Sequence, residues 1–228
     1  MKAADELLVE LRRLLSTSKV SYHAASDPWD VYEGYLFSLV VATASRHGAT
    51  VTYRDIDNNL VSDLVFRTSP GDIYSRAARY TYALVEFAGA PALEVHVGVK
   101  VMGKSGVLHE CDVLVLPAEE AATSRALRYA PRGSQCVLVI ECKYYTSGLR
   151  LAQARNFEGL RVDVSTLAEL FVSNIGTTAS SVVKYFGSRR KFEPGVVPAD
   201  TARVGYVQAQ IRGAFKDYFS KHAPSVMI

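Results

Sequence analysis

Cys136-Val-Leu-Val-Ile-Glu-Cys-Lys-Tyr-Tyr145 is the stretch around which the rest of the chain is read. Its first five residues suit a buried strand and run directly into Glu141 and Lys143, with Cys142 between them. A strand sets alternate side chains on opposite faces, so Val139, Glu141 and Lys143 share one face while Ile140 and Cys142 share the other. A carboxylate and an ammonium at the end of an apolar strand are costly unless they pair or bind something. The chemistry is sought there.

A second polar-to-apolar strand is expected upstream, in His109-Glu-Cys-Asp-Val-Leu-Val-Leu116. Asp112 stands near its start, 29 positions before Glu141. Alternation puts Glu110, Asp112 and Leu114 on one face and leaves Cys111 and Val113 on the reverse. If the two strands are antiparallel neighbours, Asp112 meets Glu141 across the ladder with Lys143 beside them. Two carboxylates brought together repel, and a hard divalent cation relieves this by binding both through oxygen. Mg²⁺ suits such a site because it needs few protein oxygens and keeps positions for water and phosphate. Glu110 shares the face of Asp112 and is either a further ligand or the partner of Lys104 or Lys143. His109 falls on the opposite face and reads as a packed or surface histidine.

Outward from this pair, period-two patterning predicts strands over Thr50–Ile56, Leu60–Phe66, Tyr80–Phe87 and Leu93–Val101, forming an antiparallel meander. Asp72–Ala78 suits a short helix, and Met102-Gly-Lys-Ser-Gly106 a hairpin turn. Helices are predicted over Ala3–Ser16, from Pro28 to about Arg46, and over Ala118–Tyr129, Leu149–Val162, Thr177–Phe186 and Ala202–His222. Glu169–Ser173 reads as a strand and Phe192–Pro198 as a connection. Glu33 lies within the apolar helix that begins at Pro28, either as a solvated helix acid or as a site residue.

Asp112, a variable segment and then Glu141-Cys142-Lys143 at the end of an apolar strand resemble the PD-(D/E)xK nuclease superfamily. Gly103-Lys-Ser-Gly-Val-Leu-His-Glu-Cys-Asp112 is similar to the hairpin lead-in of its Mrr-like, restriction-endonuclease-like members. The resemblance spans roughly Pro28–Phe186. It implies an α/β fold with an αβββαβ core, a mixed central sheet flanked by helices, extra N-terminal strands and terminal helices. On that reading one domain fills the chain, with an N-terminal helix in 1–25, the nuclease-like core in 26–190 and a C-terminal extension and helix in 191–228.

The resemblance further implies a Mg²⁺-dependent endonuclease, with Mn²⁺ able to substitute. Asp112 and Glu141 become metal ligands, joined by the main-chain carbonyl of Cys142 and by Glu33, whose setting in Val31-Tyr32-Glu33-Gly34-Tyr35 is similar to that of the Mrr-like group. Lys143 orients the attacking water and steadies the phosphate. DNA is the implied partner, with RNA or a branched DNA junction as the alternative substrate and a role in restriction or defence by resemblance alone. A catalytically inactive nucleic-acid-binding or structural module with the same fold is the other alternative. Lys104, Arg150, Arg155, Lys184, Arg189, Arg190 and Lys191 are candidates for phosphate contacts.

Composition fits these expectations without selecting among them. The chain has 228 residues, 49% of them hydrophobic and 21% charged, in the ordinary range for a globular protein. A net charge of +3 leaves any nucleic-acid surface to local clusters, of which Ser188–Lys191 is the densest. No apolar run is long enough to cross a bilayer, and the first residues carry acids rather than a signal-like apolar segment. Three cysteines without metal-type spacing argue against a disulfide framework or a zinc site, so a reduced, cytoplasmic setting is expected. Homodimerisation would suit double-strand cutting, through either terminal helix.

Overall fold

The computed structural model describes residues 3–17, 19–176, 180–187 and 192–225. It is a mixed α/β protein in which a seven-stranded sheet is flanked by helices. The strands are β1 (Thr50–Asp55), β2 (Thr81–Glu86), β3 (Leu93–Met102), β4 (Leu108–Pro117), β5 (Leu138–Lys143), β6 (Ala168–Ser173) and β7 (Phe192–Pro194). They lie side by side in sequence order. β1 through β5 pair antiparallel, while β5–β6 and β6–β7 are parallel. The strand carrying Glu141 and Lys143 is therefore the one at which the sheet changes direction.

The helices are α1 (Ala3–Leu14), α2 (Pro28–Arg46), α3 (Ala118–Leu127), α4 (Leu151–Val164), α5 (Ser180–Phe186) and α6 (Thr201–His222). α2 begins where Pro28 occupies the first turn, its fixed φ suiting the helix and its missing N–H costing nothing there. It ends at Gly48, whose φ of 89° closes the last turn at little cost only for glycine. α2 is buried almost all round because it is packed between α1, α6 and the sheet. The main core joins Leu7 and Leu11 of α1, Tyr32 and Leu36 of α2, and Ile211 and Phe215 of α6 to Val113, Ile140 and Val172 on one sheet face. The other face packs Leu114, Leu116 and Val139 against Ile73, Ala121 and Val164, and Phe171 against Phe157, Val182 and Phe186. β5 and β6 can be parallel neighbours because α4 supplies the long crossover that this requires.

Three local expectations are corrected. Leu60–Phe66 is no strand of the sheet. Its backbone makes only scattered bonds: Val61 N–H to the Tyr53 carbonyl of β1, Thr81 N–H of β2 to the Val65 carbonyl, and, with the segment before α2, Ser21 N–H to the Leu64 carbonyl and Leu64 N–H to that of Lys19. Leu64 and Phe66 are still buried, so the apolar alternation was real but served a loop. Asp72–Ala78 makes a turn rather than a helix. Gly71 N–H bonds the Gly98 carbonyl and Lys100 N–H bonds the Gly71 carbonyl, so this segment lies along the part of β3 that β2 leaves unpaired. Phe192–Pro194, expected as connection, pairs with Phe171–Ser173 as β7. Thr177, the expected start of α5, lies outside the described residues, as do Arg189, Arg190 and Lys191.

Candidate active site

The site begins where two ladders fail at one residue. Main-chain pairing of β4 with β5 covers only Val113–Val115 against Leu138–Ile140. On the other side, β3 and β4 pair Val97 with Val113 and Val99 with Cys111, and the Gly98–Asp112 rung between them is missing. Gly98 adopts φ 62°, the left-handed region that glycine enters without a Cβ clash. The Asp112 carboxylate replaces the lost main-chain pairing by accepting a hydrogen bond from Cys142 N–H at 2.7 Å.

This irregularity corrects the expectation that Cys111 and Val113 share a face. Val113 and Cys142 pack on the α2 side, whereas Cys111 packs with Val99, Leu114 and Val139 on the other. Simple alternation breaks because a local kink shifts the facing of every residue beyond it. On β5 alternation holds, with Val139 on one layer and Ile140 and Cys142 on the other.

Lys143 ties the acids together. Its Nζ lies 2.5 Å from Glu141 Oε1 and 3.5 Å from Asp112 Oδ2. Burial works against the lysine charge, but the carboxylates of Asp112 and Glu141 outweigh it and hold Lys143 above the ordinary lysine range. Glu141 is pushed up to about 7, first by burial and then by the charge of Asp112, with Lys143 opposing both. The expected trio is therefore assembled, with an ammonium shared by two carboxylates.

Glu33 arrives from α2. One oxygen each from Glu33 and Asp112 and the Sγ of Cys142 all lie within 4.8 Å of one another. Burial raises the Glu33 carboxyl to about 9, with Asp112, Asp30 and Glu110 adding to it and Lys143 opposing. It is thus no solvated helix acid. Its neighbour Gly34 explains part of the placement: a Cβ there would come within 2.5 Å of Tyr22 Cε2 and 2.8 Å of Leu11 Cδ1. Only glycine lets α1 and Tyr22 close against the helix that carries Glu33. Tyr144, just past β5, packs at 5.6 Å on Tyr32 of the same helix.

The remaining candidates divide. Glu110 is at the rim opposite Lys100, its carboxyl raised by partial burial and by Asp112. Among the described residues it forms no ion pair with Lys104 or Lys143. His109 and the Lys104 turn serve a clasp instead. Asp163, at the end of α4, accepts from Ser105 N–H at 2.7 Å and contacts His109 Nε2 at 2.6 Å, while its carbonyl accepts from Lys104 N–H at 2.9 Å. Bonds from Ser105 and His109 hold the Asp163 carboxyl down at about 2. Arg150, Arg155 and Lys184 are exposed.

One charged constellation was missed. Glu94 and His96 on β3 are buried, and Glu94 accepts a two-pronged contact from Arg125 of α3 at 2.5 and 2.8 Å. His96 Nε2 lies 2.8 Å from Glu94, and its Nδ1 is buried without a hydrogen-bond partner among the described residues. Burial lowers His96, and Glu94 stays low because Arg125 and His96 outweigh its own desolvation. The signal was the same one that exposed Glu141 and Lys143: Glu94-Val-His96 sets two polar residues on one face of an apolar strand. Comparison with protein-family models, with curated proteins and with solved structures finds no match for the chain.

Proposed function

We propose that the protein is a divalent-cation-dependent nuclease that hydrolyses phosphodiester bonds of DNA at the Asp112–Glu141–Lys143 cluster. The observation that carries this reading is the single ammonium shared by Asp112 and Glu141 where β4 and β5 part, with a third acid, Glu33, brought in from α2. The order α2, β3, β4, β5, α4, β6, with β1 and β2 inserted after α2 and α3 after β4, supports the αβββαβ core that the sequence resembles.

The acid set fits a bound cation. Asp112 and Glu141 share one ammonium and Glu33 lies beside Asp112, and burial and mutual repulsion push Glu33 and Glu141 upward, so a second positive charge would relieve them. Asp112 and Glu141 would hold Mg²⁺ or Mn²⁺ through oxygen, with Glu33 and the Cys142 carbonyl as further donors. When bound, such an ion supplies Lewis acidity and lowers the pKa of water. Asp112 is fixed for its part by the Cys142 N–H, so it need not reorganise. Lys143 stays charged and therefore acts by electrostatics, orienting water and steadying charge on the phosphate, rather than as a proton acceptor. Exposed Arg150 and Arg155 of α4 are available for backbone phosphates.

The test incubates the protein with plasmid, linear duplex, single strands, branched junctions and RNA, with Mg²⁺, Mn²⁺ or a chelator. Metal-dependent cleavage of DNA that Asp112→Ala loses is the expected result. Cleavage of RNA or junctions alone moves the substrate class, and identical behaviour of wild type and variant on every substrate removes catalysis from this site.

A further inference from the structure

The proposed hydrolysis uses the main chain of Cys142 and leaves its side chain without a task. Cys142 is 6% exposed, and its thiol makes no hydrogen bond among the described residues. It faces the α2 side of the sheet, opposite to Glu141 and Lys143 by strand alternation. There its Sγ and one oxygen each of Asp112 and Glu33 lie within 4.8 Å of one another. The Cys142 N–H fixes Asp112 from the same residue, so thiol and carboxylate are held together. Cys111 and Cys136 lie in the core on the other face of the sheet, away from this group.

Two carboxylate oxygens and one sulfur are not the donor set of a hard cation. Mg²⁺ and Ca²⁺ take oxygen, whereas a thiolate selects softer ions such as Zn²⁺, Co²⁺ and Cd²⁺. Three protein ligands with a position left for water is the arrangement of open zinc sites. We propose that Glu33, Asp112 and Cys142 form a binding site for a thiophilic divalent cation of the zinc class. The site stands on these distances alone. Its consequence rests on the nuclease reading: by engaging Asp112 and Glu33, zinc competes with the hard cation and inhibits Mg²⁺-dependent cleavage.

The test titrates the full chain with Co²⁺ and follows the near-ultraviolet thiolate-to-cobalt charge-transfer band, with Zn²⁺ affinity read by competition. A second readout is Trp29, the sole tryptophan, half-exposed one helical turn before Glu33, whose fluorescence bound Co²⁺ should quench. Wild type and Cys111→Ser should show the band. Cys142→Ser should lose it and bind Zn²⁺ more than about 100-fold more weakly, beyond the loss expected for a merely supporting group. Glu33→Gln keeps the thiol and should weaken binding at least about 10-fold, which secures the test should Cys142→Ser not fold. No band in wild type, or a band that survives Cys142→Ser, overturns the proposal, as does Zn²⁺ affinity unchanged in Glu33→Gln. The band present with no cleavage of any nucleic acid would keep the metal site and sink the nuclease reading instead.

Discussion

Lys143 keeps its charge in a half-buried place because two carboxylates flank it, and each acid depends on it in turn. Lys143→Met should lower cleavage by about 100-fold, the scale of removing one charge-stabilising donor, while divalent-cation binding persists. A rate within a few-fold of wild type would limit Lys143 to a structural ion pair. Glu33 makes a prediction about stability. Its folded value of about 9 lies above that of an unfolded glutamate, so the folded chain holds a proton that the unfolded chain has lost. Stability contributed by this group is present at low pH and declines as pH rises from the ordinary carboxylate range through about 9. At mildly alkaline pH, metal-free Glu33→Gln should therefore be more stable than wild type, by at least the ~1.4 kcal/mol that one pKa unit represents. Calorimetric melting in the presence of chelator checks this, and a lower melting temperature for the variant would contradict it.

Element geometry decides how these residues meet. Gly98 holds a positive φ opposite Asp112, and a side chain there costs roughly 1–2 kcal/mol per left-handed residue. Gly98→Ala should lose about that much in denaturant melts and should weaken cleavage disproportionately, because the kink is what frees Asp112 from the ladder. Asp163→Ala should leave the fold in place and speed amide exchange at Ser105, whose N–H it now accepts. The strands that hold the site were legible because apolar alternation and turn residues agreed along β3, β4 and β5. The kink was not legible, since Gly98 and Asp112 each sit inside otherwise regular strand patterns and only their juxtaposition breaks the pairing. Leu60–Phe66 misled for a related reason: alternation reports burial of every second residue, not which backbone the segment bonds. β7 is three residues long, too short for any period to show.

At the scale of the whole molecule, the two sheet faces carry different polar loads. The α2 face converges acids at one end, while the α3 face buries Glu94 under Arg125 and His96. Removing one partner of such a buried pair is expensive, so Arg125→Met should destabilise by about 3 kcal/mol or more, independently of the candidate site. Normal stability in that variant would show that Glu94 sheds its charge by protonation. No described helix is long and apolar enough to cross a membrane. Asp112, Glu141 and Lys143 could be singled out from sequence because charge is conspicuous at apolar strand ends. The Cys142 thiol could not, because its orientation toward Glu33 depends on how α2 packs across the sheet. Metal-dependent hydrolysis at one cluster is the central proposal. It is tested most directly by timing the conversion of supercoiled plasmid to nicked and linear forms with wild type, Asp112→Asn and Lys143→Met, in Mg²⁺ and in chelator. Cleavage by wild type in Mg²⁺ alone, lost in Asp112→Asn and lowered about 100-fold in Lys143→Met while their folds persist, is the predicted result; no Mg²⁺-dependent conversion by wild type, or equal conversion by all three proteins, would contradict it.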